Sequence, residues 1–213
     1  MRVAIIGGTF NPIHTGHLRL AEEVREGLGF ARVIFIPVCL PPHKDGEGIP
    51  PAAERLDMVR LAIEGNPAFE ASDIEIKRGG RSYTVETVKA LGEDGTGLEP
   101  AIVVGADSFN EITTWCEYEK LFTLADFVVV PRPGHAAKKI AEVVPVELAR
   151  KFCYDAEKEA YVSSYGHSVT YFDTTLMDIS SSDIRRRVAA GMSIRYLVPP
   201  GVEEYILGKG LYK

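Results

Sequence analysis

Short apolar runs rich in β-branched residues recur along the chain, at residues 3–6, 33–38, 101–104, 127–130 and 169–172. Runs this short and this apolar predict buried strands. Between the first two, Leu18, Ala21, Val24 and Leu28 recur at spacings of three and four while Glu22, Glu23 and Glu26 face the other side, which predicts an amphipathic helix. The same pattern predicts helices over 52–64 and 84–91. Strands that alternate with helices, and that are apolar almost throughout, predict a mainly parallel, doubly wound α/β sheet covered on both faces. A looser alternation at 71–76 predicts one more strand, running into the turn Arg78-Gly79-Gly80-Arg81. The interval 134–168 holds a lysine-bearing, helix-like segment at 136–144 and a polar stretch from Asp155 to which the pattern assigns no element. In such sheets ligands bind beyond the carboxyl ends of the strands, so chemistry is expected in the loops that follow them.

The chain has 213 residues, 46% of them hydrophobic and 25% charged. That is enough for a buried core without disulfide or metal staples, and unlike a disordered or collagen-like composition. A net charge of -6 argues against a nucleic-acid surface, which needs a basic face, but leaves room for a local basic pocket. Cys39, Cys116 and Cys153 form no CxxC pair and leave an odd thiol under any pairing, so they read as reduced thiols of a cytoplasmic protein. The apolar run after Arg2 is too short for a signal-peptide core, and no run approaches the roughly 18 apolar residues of a membrane span. The expected organisation is a domain over 1–178 and a short C-terminal helical segment over 179–213.

After the first strand comes Gly7-Gly8-Thr9-Phe10-Asn11-Pro12-Ile13-His14-Thr15-Gly16-His17-Leu18. Two adjacent glycines allow a sharp turn and a close approach to a ligand, and the helix start behind them offers unpaired N–H groups, so the segment reads as an anion site. His14 and His17, three apart, place both imidazoles on one helix face, where they can address one phosphate together. The competing reading, histidines that cap the helix or fill a gap, suits a lone histidine better than this pair. Neither GxGxxG nor GxxxxGK[ST] is present, which argues against hydride transfer and P-loop chemistry. No third His, Cys or carboxylate lies nearby in sequence to complete a metal site.

A second anion site is expected at Ile179-Ser180-Ser181-Ser182-Asp183-Ile184-Arg185, where hydroxyls, a helix start and an arginine converge. Ile184, Val188 and Ala189 form the apolar stripe of that helix. Pro41-Pro42-His43-Lys44 adds a cation on a proline-stiffened loop, against the plainer reading of a solvated lysine. Arg132 follows another strand end. Asp107, after Gly105-Ala106, can accept hydrogen bonds from a ribose or can cap the helix behind it. Trp115 is the only tryptophan, with core filling as its ordinary role. Thr84, in Ser82-Tyr83-Thr84, can cap the helix that follows.

GGTFNPIHTGHL resembles the HxGH signature of the nucleotidyltransferase superfamily, and in its extended form is similar to that of bacterial nicotinate-mononucleotide adenylyltransferases. ISSSDIR resembles the family's ISSTxxR segment with Ser182 in place of threonine, and PPHK, SYT and GAD before it and Tyr196-Leu197-Val198-Pro199 after it stand in the family's order. Cys116 stands where many members carry a larger residue. The resemblance implies a Rossmann-like α/β fold and transfer of the adenylyl group of ATP, with Mg²⁺, to nicotinate mononucleotide in NAD biosynthesis. It implies His14, His17, Lys44 and Arg185 as catalytic residues, and no metal ligand among the side chains. ATP would take Gly7, Gly8, Thr9, Phe10, His17, Arg132, Ile179, Ser180, Ser182 and Arg185. Nicotinate mononucleotide would take Asn11, Lys44, Tyr83, Thr84, Asp107 and Trp115, with the tryptophan stacked on the pyridine ring. Adenylyl transfer to nicotinamide mononucleotide or phosphopantetheine, and a non-catalytic nucleotide sensor, are the alternatives. A class I synthetase fragment is disfavoured because KMSKS is missing. Neither a nucleic acid nor a membrane is an expected partner, and a homo-oligomer is compatible with the sequence.

Overall fold

The computed structural model describes residues 1–40, 48–93 and 97–213. In chain order the elements are β1 (Arg2–Gly8), α1 (Thr15–Gly27), β2 (Arg32–Pro37), α2 (Ala52–Ile63), β3 (Phe69–Ala71), α3 (Ile74–Arg78) and α4 (Thr84–Glu93). They continue through β4 (Glu99–Gly105), α5 (Ala106–Asn110), α6 (Tyr118–Leu121), β5 (Asp126–Val130), α7 (Ile140–Val143) and α8 (Val146–Ala149). The last are β6 (Phe152–Asp155), β7 (Ala160–Ser163), β8 (Ser168–Tyr171), α9 (Ser181–Ala189) and α10 (Pro200–Lys209). One sheet runs in the order β3-β2-β1-β4-β5-β8-β7-β6. The pairs β2–β3, β1–β4, β4–β5 and β5–β8 are parallel, whereas at one edge β7 pairs antiparallel with both β8 and β6. The expected α/β, doubly wound and mainly parallel fold is therefore the one observed. Among the described residues no helix is long and apolar enough to cross a membrane.

The chain divides into two compact units, Met1–Ile6 with Tyr83–Leu176, and Gly7–Ser82 with Met177–Lys213. In the first, Val3 to Ile6 of β1 and the β4 and β5 interiors are buried on both faces, which is why these strands read as continuous apolar runs rather than alternations. Phe127 of β5 anchors this core, with the rings of Phe122 and Phe109 at 4.8 and 6.1 Å. In the second unit, Phe35 of β2 lies between Phe10 and Phe69 at 6.0 and 5.3 Å, α2 packs on β2 and β3, and α10 packs on α2.

Three local expectations need correction. Of the strand expected at 71–76, only Ala71 lies in β3, where it closes the pairing Val33 to Phe35 with Phe69 to Ala71. The Ser72 hydroxyl then accepts from the Ile74 N–H at 3.3 Å, and a Lys77–Asp73 pair at 3.0 Å spans the first turn of α3. The Ile74 and Ile76 alternation thus belongs to a helix, which ends at Gly79, φ +72°. Of the helix-like 136–144, only Ile140–Val143 is helical, because the Asn110 amide holds the Ala136 carbonyl at 2.9 Å and the Lys138 N–H at 3.0 Å in extended chain. The unassigned polar stretch is the β6–β7 turn, where one Asp155 oxygen accepts from the Glu157 and Lys158 N–H groups. In α9, Ile184 and Val188 are buried but Ala189 is exposed, which narrows the stripe to two residues.

Ile184 is fully buried and is the main apolar anchor of α9. Ile184→Ala should cost about 2–5 kcal/mol of stability. Equilibrium denaturation checks this, and a change below about 0.5 kcal/mol, as for a surface site, would contradict it.

Candidate active site

The segment between β1 and α1 is built on ring packing. β1 runs through Gly7 and Gly8 without reversing, and the left-handed turn falls instead on Phe10, φ +45°. This corrects the expectation that the glycine pair makes the turn. The Phe10 ring is buried between Phe35 and the His17 ring, nearly perpendicular to the latter at 5.3 Å, and a Cβ on Gly8 would lie 3.2 Å from it. Gly8 is thus a gap for that ring, whereas a Cβ on exposed Gly7 would meet open space. Thr9 is half-buried, and Asn11 is buried ahead of a cis peptide to Pro12.

His14 is buried at the N-cap of α1, with its ring stacked on that of His17 at 3.7 Å and 28°. A Cβ on Gly16 would approach His14 Nδ1 to 3.1 Å, so any larger residue there would press the His14 ring out of its place. The main-chain N–H of His14 donates to His17 Nδ1 at 3.2 Å. A nitrogen that accepts carries no proton, so His17 is the neutral tautomer with its hydrogen on Nε2, a donor. The first N–H of α1, on Thr15, is already committed: it donates to the Leu197 carbonyl at 2.9 Å, and the Thr15 hydroxyl donates to the same oxygen at 3.0 Å. One of the helix amides that the sequence offered to an anion is thus taken by the chain itself.

The start of α9 is latched onto this segment. The Ser181 hydroxyl donates to the Pro12 carbonyl at 2.8 Å, and Arg185 donates to the Asn11 carbonyl at 2.7 Å and to the Ser182 hydroxyl at 3.2 Å. Ser180 is the N-cap, accepting from the Asp183 N–H at 3.1 Å, as its position before the helix suggested. Ile179 is half-buried just ahead of it. Hydrogen bonds from Arg187 and Arg186 hold the Asp183 carboxyl below the usual carboxylate range, so both of those arginines are occupied. Asn11, Ser182 and Arg185 therefore form one bonded set, beside a segment whose imidazoles stack.

The other expected residues lie in the first unit. Gly105 and Val130 are paired in register at the ends of β4 and β5, so residues two positions further on meet: Arg132 Nη1 lies 3.1 Å from Asp107 Oδ2. Asp107 is not the helix cap. Gly105 is, and the carboxylate folds back over it so closely that a Cβ there would sit 2.8 Å from Oδ1. Trp115 is half-buried after a 3₁₀ turn at Ile112–Thr114, so it is not core filling. Thr84 opens α4 as its first helical residue, one place inside the cap position expected for it. The Tyr83 carbonyl receives the Glu86 N–H at 3.1 Å. Lys44 and its neighbours Pro41, Pro42 and His43 lie outside the described residues.

The sequence reading missed Ser181, taken only as part of a serine run, and Arg55, a lone cation on the buried face of α2 beside Leu56, Met58 and Val59. That placement, a charge at an apolar helical position, was the available signal for Arg55. Among the described residues no group of three or more His, Cys, Asp or Glu could hold a metal ion, and all three cysteines are free. A neutral imidazole donor, a guanidinium and hydroxyls together can bind and polarise phosphate oxygens.

The profile described as cytidylyltransferase-like matches residues 5–187. A protein of Citrifermentans bemidjiense named "Probable nicotinate-nucleotide adenylyltransferase" is 49% identical over 212 residues, spanning 100% of this chain and 98% of its own length. One of Geobacter sulfurreducens with the same name is 44% identical over the same spans. The fold matches that of the Plasmodium falciparum nicotinic acid mononucleotide adenylyltransferase complexed with NaAD, with a TM-score of 0.70 at 18% identity, over 99% of this chain and 97% of that one.

The His14 to His17 bond makes a spectroscopic prediction. In ¹⁵N-histidine-labelled protein at neutral pH, His17 should show an unprotonated Nδ1 and a protonated Nε2. A protonated Nδ1 would contradict this geometry.

Proposed function

The chain belongs to the nicotinate-nucleotide adenylyltransferase family, and from that premise we propose that it transfers the adenylyl group of ATP to nicotinate mononucleotide, a step of NAD biosynthesis. An oxygen of the acceptor 5′-phosphate attacks the α-phosphorus, the bond from that phosphorus to the bridging oxygen breaks, and pyrophosphate leaves with the electron pair. A phosphate monoester has its second pKa at about 6, so the nucleophile is largely ionised near neutrality and no strong general base is needed. The protein's work is alignment and charge stabilisation.

The observation that carries this reading is the pair of stacked imidazoles at the start of α1, where the His14 N–H bond to His17 Nδ1 sets the ring so that Nε2 is the nitrogen that addresses an α-phosphate oxygen. His14, stacked on His17, holds that ring in place. Ser180, Ser182 and Arg185 take the outer phosphates: Arg185 uses part of its fork on Asn11 and Ser182, and its remaining N–H groups serve the ligand. Gly7, Gly8, Thr9, Phe10 and Ile179 give the backbone surface of the ATP site, and Lys44 neutralises charge on the reacting phosphates. Mg²⁺ enters as part of the ATP substrate, since it keeps several waters and binds through phosphates in such reactions.

On the acceptor side, Asp107 accepts from the ribose hydroxyls, and its ion pair with Arg132 keeps the carboxylate oriented. Trp115 stacks on the pyridine ring. The start of α4 at Tyr83 and Thr84 receives the pyridine carboxylate, because a helix N-terminus holds an anion without a dedicated cation. Three free thiols suit a cytoplasmic setting for this reaction.

Removing a donor aimed at a transition-state oxyanion costs about 10²–10³ in turnover, and His17→Ala should lose at least that while keeping its fold. A folded variant with nearly unchanged turnover would contradict the role. Pyrophosphate release with ATP and each of three acceptors decides the substrate. We expect the highest kcat/KM for nicotinate mononucleotide, above nicotinamide mononucleotide and phosphopantetheine. A preference for the amide would overturn the acceptor assignment, and ATP binding without turnover would favour a sensor.

A further inference from the structure

Arg55 is 1% exposed, among the largest fully buried side chains of the chain. A buried charge is costly unless its donors are met, and burial pulls this guanidinium below the usual arginine pKa. Its hydrogen bonds reach main-chain carbonyls of three separate segments. Nε donates to Pro50 at 3.0 Å, Nη1 to Thr9 at 2.7 Å, and Nη2 to Val38 at 2.6 Å and Cys39 at 3.1 Å. A methionine or leucine would fill the same space in α2 without the cost of burying a charge. What those side chains could not do is hold the exit of β1 against the exit of β2.

That hold has a direction. In a trans peptide the C=O and the next N–H point to opposite sides. The Val38–Cys39 peptide shows the consequence: its carbonyl is on Arg55, and the Cys39 N–H, facing the other way, donates to the Ser82 hydroxyl at 2.8 Å. By the same geometry, drawing the Thr9 carbonyl onto Arg55 turns the Phe10 N–H away from α2. Phe10 itself sits at φ +45°, a conformation that persists in a non-glycine residue only when its surroundings impose it.

We propose that Arg55 is a positioning residue: by gripping the Thr9, Val38 and Cys39 carbonyls it fixes the Thr9–Phe10 peptide with its N–H presented to the triphosphate. This rests on the reading of residues 7–17 as the ATP site. Arg55 acts through the main chain and grips Thr9 within the ATP segment itself, so its loss should weaken the handling of ATP more than that of the acceptor, whose nearest link to it is the Cys39 N–H on Ser82. Lysine keeps the charge but replaces a planar fork by a point donor that cannot span these carbonyls.

The test uses Arg55→Lys and Arg55→Met, each checked for a cooperative melt, with KM and kcat measured separately for ATP and nicotinate mononucleotide. A displacement of about 1 Å can cost about 10²-fold, so kcat/KM for ATP should fall by about that in both variants while KM for the acceptor changes little. Unchanged ATP kinetics in a folded Arg55→Lys variant, or equal weakening of both substrates, would overturn the proposal. Wild-type protein gives a second measurement if neither variant folds. Titration with inorganic tripolyphosphate, followed by ¹H–¹⁵N correlation spectra, should shift the Phe10 amide to saturation. Tripolyphosphate that perturbs the Arg185 side chain but not the Phe10 amide would overturn the positioning role alone. If it perturbs neither, the ATP reading fails and this role with it.

Discussion

Residues 9–13 belong to neither a strand nor a helix, so their carbonyls have no ladder to join, and buried carbonyls must find donors elsewhere. Arginines supply two of them. Arg55 of α2 takes the Thr9 carbonyl and Arg185 of α9 takes the Asn11 carbonyl, while Ser181 takes the Pro12 carbonyl. This pairing makes the rest of the second unit consistent: Phe10 can hold a left-handed backbone, its ring can fill the space beside Gly8, and His17 can lie against its face. Cations bonded to main-chain oxygens also remain positive toward a ligand, as cations paired with carboxylates do not.

The charge balance follows the same division. The net charge of -6 is a balance over the whole chain, and on the α1 surface the cations are already paired, with Arg19 holding Glu23 at 2.6 Å and Arg25 holding Glu22 at 2.5 Å. The Arg25 hydrogen bond keeps the Glu22 carboxyl below its ordinary pKa. In α9 the Asp183 carboxylate draws Arg186 and Arg187 to itself and leaves Arg185 to the segment before α1. A chain can thus be acidic as a whole and still present donors to phosphates at one place, because exposed charges are screened beyond about 10 Å in ordinary salt.

The parallel strands were legible because burial on both faces leaves a direct mark, an apolar run bounded by turn residues. The HxGH segment and the serine-rich start of α9 were legible because each combines a helix start with a spacing that resembles a known signature. What the sequence hid was decided by side chains meeting main chain at a distance. Asn110 unwinds 136–138 from 26 residues away, and the Ser72 hydroxyl turns a strand-like alternation into α3. Phe10 takes the left-handed turn expected of Gly7 and Gly8, with its ring packed against Phe35 and His17. Arg55 left a signal, a charge at an apolar helical position, but its partners are main-chain carbonyls that no residue pattern marks.

A structure of the chain with an ATP analogue whose α,β bridge resists cleavage tests the account most directly. It should show the α-phosphate within hydrogen-bond reach of His17 Nε2 and the outer phosphates on Ser182 and Arg185, with the Arg185 bond to the Asn11 carbonyl retained. A triphosphate bound away from residues 7–17, with His17 and Arg185 touching none of it, would contradict the account.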